Sequence, residues 1–63
     1  MSIGERIKKA REDRNMKQEA LASAVGVSVP MISRIEKNSK LPSLQLLISI
    51  AQALGVPTGQ LLD

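Results

Sequence analysis

Apolar residues recur along the chain at intervals of three and four positions, which is the repeat of an α-helix. The first such stripe lies near the amino terminus and consists of Ile3, Ile7 and Ala10. Ser2 and Glu5 fit a capping box, in which each side chain satisfies a backbone N–H of the other at a helix start. Asn15 is able to take the left-handed conformation that often ends a helix. We therefore predict a first helix over about residues 2–14.

A second stripe follows after a short break and consists of Ala20, Leu21, Ala24 and Val25. Gly26 then offers a residue that adopts a positive φ without a Cβ penalty, which predicts a tight turn. Ser28 is a good amino-terminal cap, and Pro30 falls in the first turn of the next helix, where a missing N–H costs little. The third helix is predicted to run to Glu36 or Lys37.

The second half of the chain is predicted to hold one longer helix and one short one. Ser43 caps a helix over Leu44–Leu54 that stops at Gly55, and a last helical turn covers about Pro57–Leu62. The longer helix is nearly apolar on all sides. Its predicted inward residues are Leu44, Leu47, Ile48, Ala51 and Leu54. This choice leaves a surplus at helical spacing, namely Leu46, Ile50 and Ala53.

The second and third predicted helices together match a helix-turn-helix over about Gln18–Lys37. Such a motif needs two short helices that cross steeply, a turn that a Cβ would obstruct, a small residue at the crossing and apolar anchors. The first, fifth, ninth, fifteenth and eighteenth places of the motif are filled by Gln18, Ala22, Gly26, Ile32 and Ile35. The other core places are filled by Leu21, Val25 and Val27. The agreement of all these positions makes the pattern specific.

Length and charge narrow the class of protein. A chain of 63 residues has room for one small core, so residues 1–63 are predicted to form a single domain. All nine Lys and Arg residues lie between Arg6 and Lys40, whereas residues 41–62 carry no charged side chain. This placement favours a polyanionic partner such as DNA more than the modest net charge of +3 does.

The residue types give little support for an enzyme or for a membrane-spanning protein. The chain has no His and no Cys, and its six carboxylates form no recognisable acid–base pair or metal cluster. We therefore predict neither an enzyme nor a cofactor, and no small-molecule ligand is indicated. The chain also lacks an apolar run of about 18 residues, which predicts a cytoplasmic protein without a membrane span.

The chain resembles the phage-repressor and Cro-like helix-turn-helix family, also called the Xre family. The resemblance spans essentially the whole chain and rests on Gln18-Glu-Ala-Leu-Ala22, Val25-Gly-Val-Ser28, Ile32-Ser-Arg-Ile-Glu36 and Pro42-Ser-Leu44 with Ala53-Leu-Gly-Val56. It implies an all-α, compact five-helix, lambda-repressor-like domain. It also implies binding to double-stranded operator DNA, usually as a two-fold homodimer, in order to repress or occasionally activate transcription.

The resemblance also assigns residues to a DNA interface. Gln18 is similar to the family residue that meets the DNA backbone and supports the recognition helix. The groove-facing positions of the third helix fall on Ser28, Val29, Pro30, Ser33 and Arg34. Positions beside the groove, whose polar groups suit phosphate oxygens, fall on Lys37, Asn38, Ser39 and Lys40. Met31 has two equally weighted interpretations, a contact to the groove and a position at the edge of the core.

Two features depart from the family pattern. Lys17 replaces the Thr or Asn that commonly caps the second helix, and a cation there is unfavourable unless a phosphate lies nearby. Val29 and Pro30 stand where related proteins often have polar base readers, so they offer only apolar contact, for instance to a thymine methyl. Arg34 is then the main base-reading candidate, because a guanidinium bonds O6 and N7 of guanine together.

Other charged residues are predicted to support the fold or to solvate its surface rather than to bind DNA. Arg11 and Glu36 match a family pair that ties the first helix to the end of the third. Lys8 and Lys9 are predicted to solvate an exposed helix face rather than to contact phosphate.

Residues 41–62, which carry no charged side chain, leave two questions open. We hypothesise that Leu46, Leu61 and Leu62 contribute to a homodimer contact, at least on DNA, although core packing or scattered surface leucines explain them equally well. The second question is the function class, since the fold also serves protein-interaction modules such as antitoxin-like or anti-repressor partners. Binding to duplex DNA and its salt dependence distinguish these functions.

Overall fold

The amino-terminal helix begins where the local sequence predicts. Helix α1 spans Ile3–Asp13, in a computed structural model that describes residues 1–62. Ser2 Oγ accepts the backbone N–H of Glu5 at 3.2 Å, and the Glu5 carboxylate accepts the backbone N–H of Ser2 at 3.0 Å. Asn15 follows the helix with a left-handed φ of 56°. The capping box is therefore confirmed, and α1 is one residue shorter at each end than predicted.

Four further helices follow in the order of the chain. They are α2 (Gln18–Val25), α3 (Val29–Glu36), α4 (Leu44–Leu54) and α5 (Thr58–Leu62). Residues 1–62 contain no strand, so the all-α, five-helix prediction is confirmed. Asp63, one of the six carboxylates counted above, lies outside the described residues. No helix in the described part of the chain is long and apolar enough to cross a membrane.

Serine caps and left-handed glycines mark the helix boundaries. Ser28 Oγ accepts the N–H of Met31 at 3.2 Å, and Ser43 Oγ accepts the N–H of Leu46 at 3.1 Å. Gly26 ends α2 with a φ of 75°. A Cβ added at Gly26 would meet nothing within 4 Å, so the predicted obstruction at this turn is absent. The glycine is required by the backbone conformation, which residues with a Cβ rarely adopt.

The helices enclose one core of aliphatic side chains. Helix α2 packs against α3 and α4, while α1 contacts α3, α4 and α5. The large side chains that are fully buried are Ile7, Leu21, Ile32, Ile35, Ile50, Leu54 and Leu61. Because the chain has no aromatic residue, burial of these aliphatic groups provides most of the hydrophobic driving force for folding.

The inward side of α4 differs from the prediction. Ile50, assigned to the surplus, is fully buried, whereas Leu44 and Ile48, assigned to the core, are 65% and 40% exposed. Almost every position of α4 is apolar, so spacing alone does not distinguish its sides. The inward side is instead determined by where α2 and α5 pack against the helix.

Leu61 requires a second correction. This α5 residue is 1% exposed and belongs to the core of its own chain. It therefore has almost no surface to offer a second copy, which corrects its assignment to a dimer contact. Leu46 is half-buried against the core, and Leu62 is 49% exposed.

Candidate nucleic-acid interface

The turn after α2 arranges α2 and α3 as a helix-turn-helix. The carbonyl of Ala22 accepts the N–H of Gly26 and, at 3.0 Å, the N–H of Val27. Ala22 is itself buried, so its small side chain lets the two helices pack closely. Ile32 and Ile35 are buried on the core side of α3. The opposite side of α3 consequently faces solvent.

This outer side of α3 carries the residues predicted to face a DNA groove. Pro30 and Arg34 are exposed and lie four positions apart, which places them on the same side of the helix. The exposed cap residue Ser28 lies at the start of α3. The half-buried residues beside this surface are Val29, Met31 and Ser33. Val29 and Met31 also pack against the core, so for Met31 both sequence-based alternatives remain compatible with its position.

A buried ion pair joins α1 to the end of α3. Arg11 donates to the two carboxylate oxygens of Glu36, from Nε at 2.7 Å and from Nη2 at 3.0 Å. Its third nitrogen, Nη1, donates to the carbonyl of Met16 at 2.7 Å. The Glu36 carboxylate raises the pKa of the Arg11 guanidinium by hydrogen bonding to it. The predicted structural pairing of Arg11 and Glu36 is therefore present.

The same carboxylate also organises the start of α2. Gln18 Nε2 donates to Glu36 Oε1 at 3.1 Å, so the first residue of α2 is tied to the last residue of α3. Lys17 is exposed at the cap position of α2 and makes no side-chain capping bond. A shallow depression between these helix ends is lined by Arg11, Lys17, Gln18, Glu19 and Val29. An anion in that depression would meet the exposed ammonium and the amino end of α2.

The charged side chains of residues 28–40 determine the electrostatics of the surface around α3. Glu36 is the only carboxylate in this segment, and it is 5% exposed and paired. The charged residues of the segment that reach solvent are Arg34, Lys37 and Lys40. The surface formed by α3 and the following loop is therefore purely cationic in its charged groups.

Two of the predicted phosphate contacts have their side chains engaged within the chain. Asn38 Oδ1 accepts the N–H of Gly4 at 3.0 Å, and Asn38 Nδ2 donates to Ser2 Oγ at 2.7 Å. Ser39 Oγ donates to the carbonyl of Arg34 at 3.1 Å. A hydroxyl has one hydrogen to donate, so this bond leaves Ser39 Oγ none for a phosphate. Both assignments stay predictions, because Asn38 Nδ2 has a second N–H and both residues are exposed, although their side chains also close the end of α3.

The junction between α1 and Asn38 was missed by sequence reasoning. It joins residues 34 and 36 positions apart, and no periodicity connects them. One available signal was Gly4, because glycine in the first turn of a helix is less favourable than alanine and requires another reason.

Comparison with known proteins identifies the family. A family model described as a helix-turn-helix matches residues 7–61, which include all of α2, the turn and α3. The chain belongs to the repressor-like helix-turn-helix family. This family member is 33% identical over 63 residues, its full length, to the HTH-type transcriptional regulator DdrOP3 of Deinococcus deserti. It covers 49% of that regulator and smaller shares, 39% and 21%, of two other curated relatives.

Solved structures share the same five-helix arrangement. The P22 c2 repressor in complex with synthetic operator 9T superposes with a TM-score of 0.94 at 33% identity, over 100% of this chain and 96% of that one. The biofilm master regulator SinR in complex with DNA gives a TM-score of 0.90 at 37% identity, over 97% of this chain and 98% of that one. The fold class and the family resemblance predicted from the sequence are thus confirmed.

Proposed function

We propose that this chain is the DNA-binding part of a transcriptional regulator, which places α3 in the major groove of double-stranded operator DNA. The observation that carries the proposal is the surface of residues 28–40, whose exposed charges are all cationic while its carboxylate is buried. Two structural neighbours with the same helix arrangement, the P22 c2 repressor and SinR, are complexes with DNA. The chain acts by binding, without catalysis, in the cytoplasm where prokaryotic operators lie.

Arg34 and Ser33 supply the polar part of base recognition in this proposal. A guanidinium reaches O6 and N7 of a guanine together, and Arg34 is exposed on the outer side of α3. Val29 and Pro30 supply apolar contact, which suits a thymine methyl. With so few polar readers, DNA shape and deformability carry part of the specificity. Met31 lies beside this contact as an adaptable side chain.

Phosphate contacts come from two ends of the same surface. Lys17 and Gln18 lie at the start of α2, where backbone N–H groups and the helix dipole also favour an anion. Lys37 and Lys40 lie beyond the end of α3 and are both exposed. Contacts of this type fix the register of the protein on the duplex without reading sequence.

The regulator binds as a homodimer on a nearly palindromic operator in this proposal. Leu62, exposed at the end of α5, and the half-buried Leu46 are the remaining candidates for the contact between copies. The whole protein's regulatory effect, which we expect to be repression, is proposed from its relatives, because the chain spans only 49%, 39% and 21% of three of them.

Selection from a random duplex pool tests the proposal directly. Recovered sites should contain two inverted half-sites, and binding to them should weaken with salt at a log–log slope of about −0.9 per phosphate contact. The variant Lys37→Gln should reduce the magnitude of that slope by about one contact, whereas Lys8→Gln, on α1, should leave it unchanged. Absence of duplex binding at low salt would contradict the proposal.

A protein-interaction module of the same fold is the second candidate. One observation favours it: Leu41 and Leu44 are 78% and 65% exposed in a segment, residues 41–62, that carries no charged side chain. Failure to bind any duplex at low salt, from a folded protein, would leave this function ahead.

A further inference from the structure

The amino end of α1 lies directly against the carboxyl end of α3. Gly4 is buried in the first turn of α1, and a Cβ built on it would overlap the carbonyl oxygen of Ile35 and lie 2.8 Å from that of Glu36. Because side chains larger than hydrogen do not fit there, glycine permits this close approach. The positive end of the α1 dipole thereby meets the negative end of the α3 dipole.

Asn38 joins the same two helix ends from the loop after α3. Its carbonyl oxygen accepts from Gly4 and its amide donates to Ser2, at 3.0 and 2.7 Å. Its backbone has a φ of 63°, a left-handed conformation that Asn tolerates better than most residues. One side chain thus fixes the course of the loop relative to α1.

The loop after α3, which Asn38 holds against α1, carries two of the cations that the proposed function requires. Lys37 and Lys40 lie one residue before and two residues after Asn38. Ordering a lysine on a phosphate costs side-chain entropy, and a loop that is mobile before binding adds a backbone entropy cost. A loop held in one conformation before binding therefore loses less conformational entropy when it binds DNA.

We propose that Ser2, Gly4 and Asn38 form a positioning node, which holds the carboxyl end of α3 and its cations in place for duplex DNA. The inference rests on the proposed function. It adds that DNA affinity depends on the amino end of α1, outside the helix-turn-helix. Asn38 acts in this scheme through the loop it holds, rather than through a phosphate bond of its own.

A double-mutant cycle separates positioning from direct contact. Asn38→Gly removes both side-chain bonds while keeping a residue suited to the positive φ. Ser2→Ala removes the acceptor of the Asn38 amide and also the cap of α1, at a residue outside the predicted interface. The probe is a duplex of about 20 base pairs recovered from a random pool, which holds two half-sites.

Ser2→Ala should weaken duplex binding about fivefold, as loss of one ordinary hydrogen bond does, and Asn38→Gly, which removes two such bonds, should weaken it at least as much. The double variant should be only about as weak as the weaker single variant, because both changes release the same loop. Ser2→Thr, which retains the hydroxyl, should bind like the parent chain. Ile50→Val, a core change of comparable effect on stability, should also bind like the parent once circular dichroism confirms that each variant is folded.

Two results overturn the node. Unchanged binding by Ser2→Ala, together with weak binding by Asn38→Gly, would show that the bond between Asn38 and Ser2 does not position the loop. Fully additive losses would likewise show that the two residues act independently. If the parent chain binds no duplex at low salt, the proposed function itself fails, and that result is distinguishable because it does not involve the variants.

Discussion

At the scale of single residues, Arg34 is where base recognition is most directly testable. It is exposed on α3, and no carboxylate of residues 1–62 forms a salt bridge with it. Arg34→Ala should reduce the ratio of operator binding to random-duplex binding by about 5-fold to 150-fold, because a bidentate guanine contact is worth about 1–3 kcal/mol. Competition binding with the two duplexes measures this ratio.

The matched control for that change is Arg34→Lys. An ammonium keeps the charge but lacks the planar fork, so this variant should retain binding to random duplex and still lose discrimination. An unchanged ratio in Arg34→Ala would exclude base reading by this residue.

Removing Glu36 should cost more stability than the loss of its own hydrogen bonds, because it also leaves a buried charge unpaired. Glu36→Ala leaves the buried guanidinium of Arg11 without its carboxylate, and breaking such a pair costs about 3–5 kcal/mol. Urea unfolding should reveal a loss of that size. A double change, Arg11→Met with Glu36→Leu, should lose less, because no buried charge remains. If both proteins lose the same amount, the uncompensated charge is not the cause.

At the scale of elements, α4 tests which side of an apolar helix builds the core. Ile50→Ala should lower the free energy of unfolding by about 2–4 kcal/mol, because the side chain is fully buried. Leu44→Ala, at a position 65% exposed, should change it by about 0.5 kcal/mol or less. The reverse order in urea unfolding would support the inward side inferred from spacing.

Helix boundaries were predictable because their causes are local. Ser2, Ser28 and Ser43 each accept an N–H three residues ahead, and Gly26 needs only its own backbone conformation. Asn38 was assigned only to DNA because no local rule indicates that its amide also meets Ser2, 36 positions away. Capping is encoded by near neighbours, whereas such a contact depends on how separate helices pack.

Helix α1 contains a carboxylate that should make stability depend on pH. Hydrogen bonds from Ser2 lower the pKa of Glu5 below its ordinary 4.5 in the folded chain. The ionised carboxylate therefore stabilises the fold fully above pH 4.5, and this contribution is lost as the pH falls through the lower folded-state pKa. Urea unfolding at descending pH should show a steeper decline for the parent chain than for Glu5→Gln. Parallel declines would assign the acid sensitivity to other carboxylates.

At the scale of the whole molecule, size determines how many copies an operator needs. The Cα atoms span only 24 × 23 × 19 Å. Successive major grooves on one side of the duplex lie about 34–36 Å apart, so one copy presents α3 to a single groove. Two copies related by a two-fold axis would read two inverted half-sites.

Contact between the two copies should make their binding cooperative. Leu62 is an exposed leucine at the end of α5, so Leu62→Ser should weaken binding to a full operator and leave binding to a half-site unchanged. Leu41→Ser provides a control, because it removes a leucine that is even more exposed, at 78%, from the loop before α4. Gel-shift titrations on full-site and half-site duplexes measure both.

The distance between the two half-sites supplies an independent test of the contact between the two copies. Inserting about half a helical turn between the half-sites places the copies on opposite sides of the duplex, where they cannot touch. Cooperativity of the parent chain should then disappear, and Leu62→Ser should bind the spaced duplex as the parent does. If the parent fills both duplexes without cooperativity, the copies bind independently, and Leu62 is then an ordinary exposed leucine.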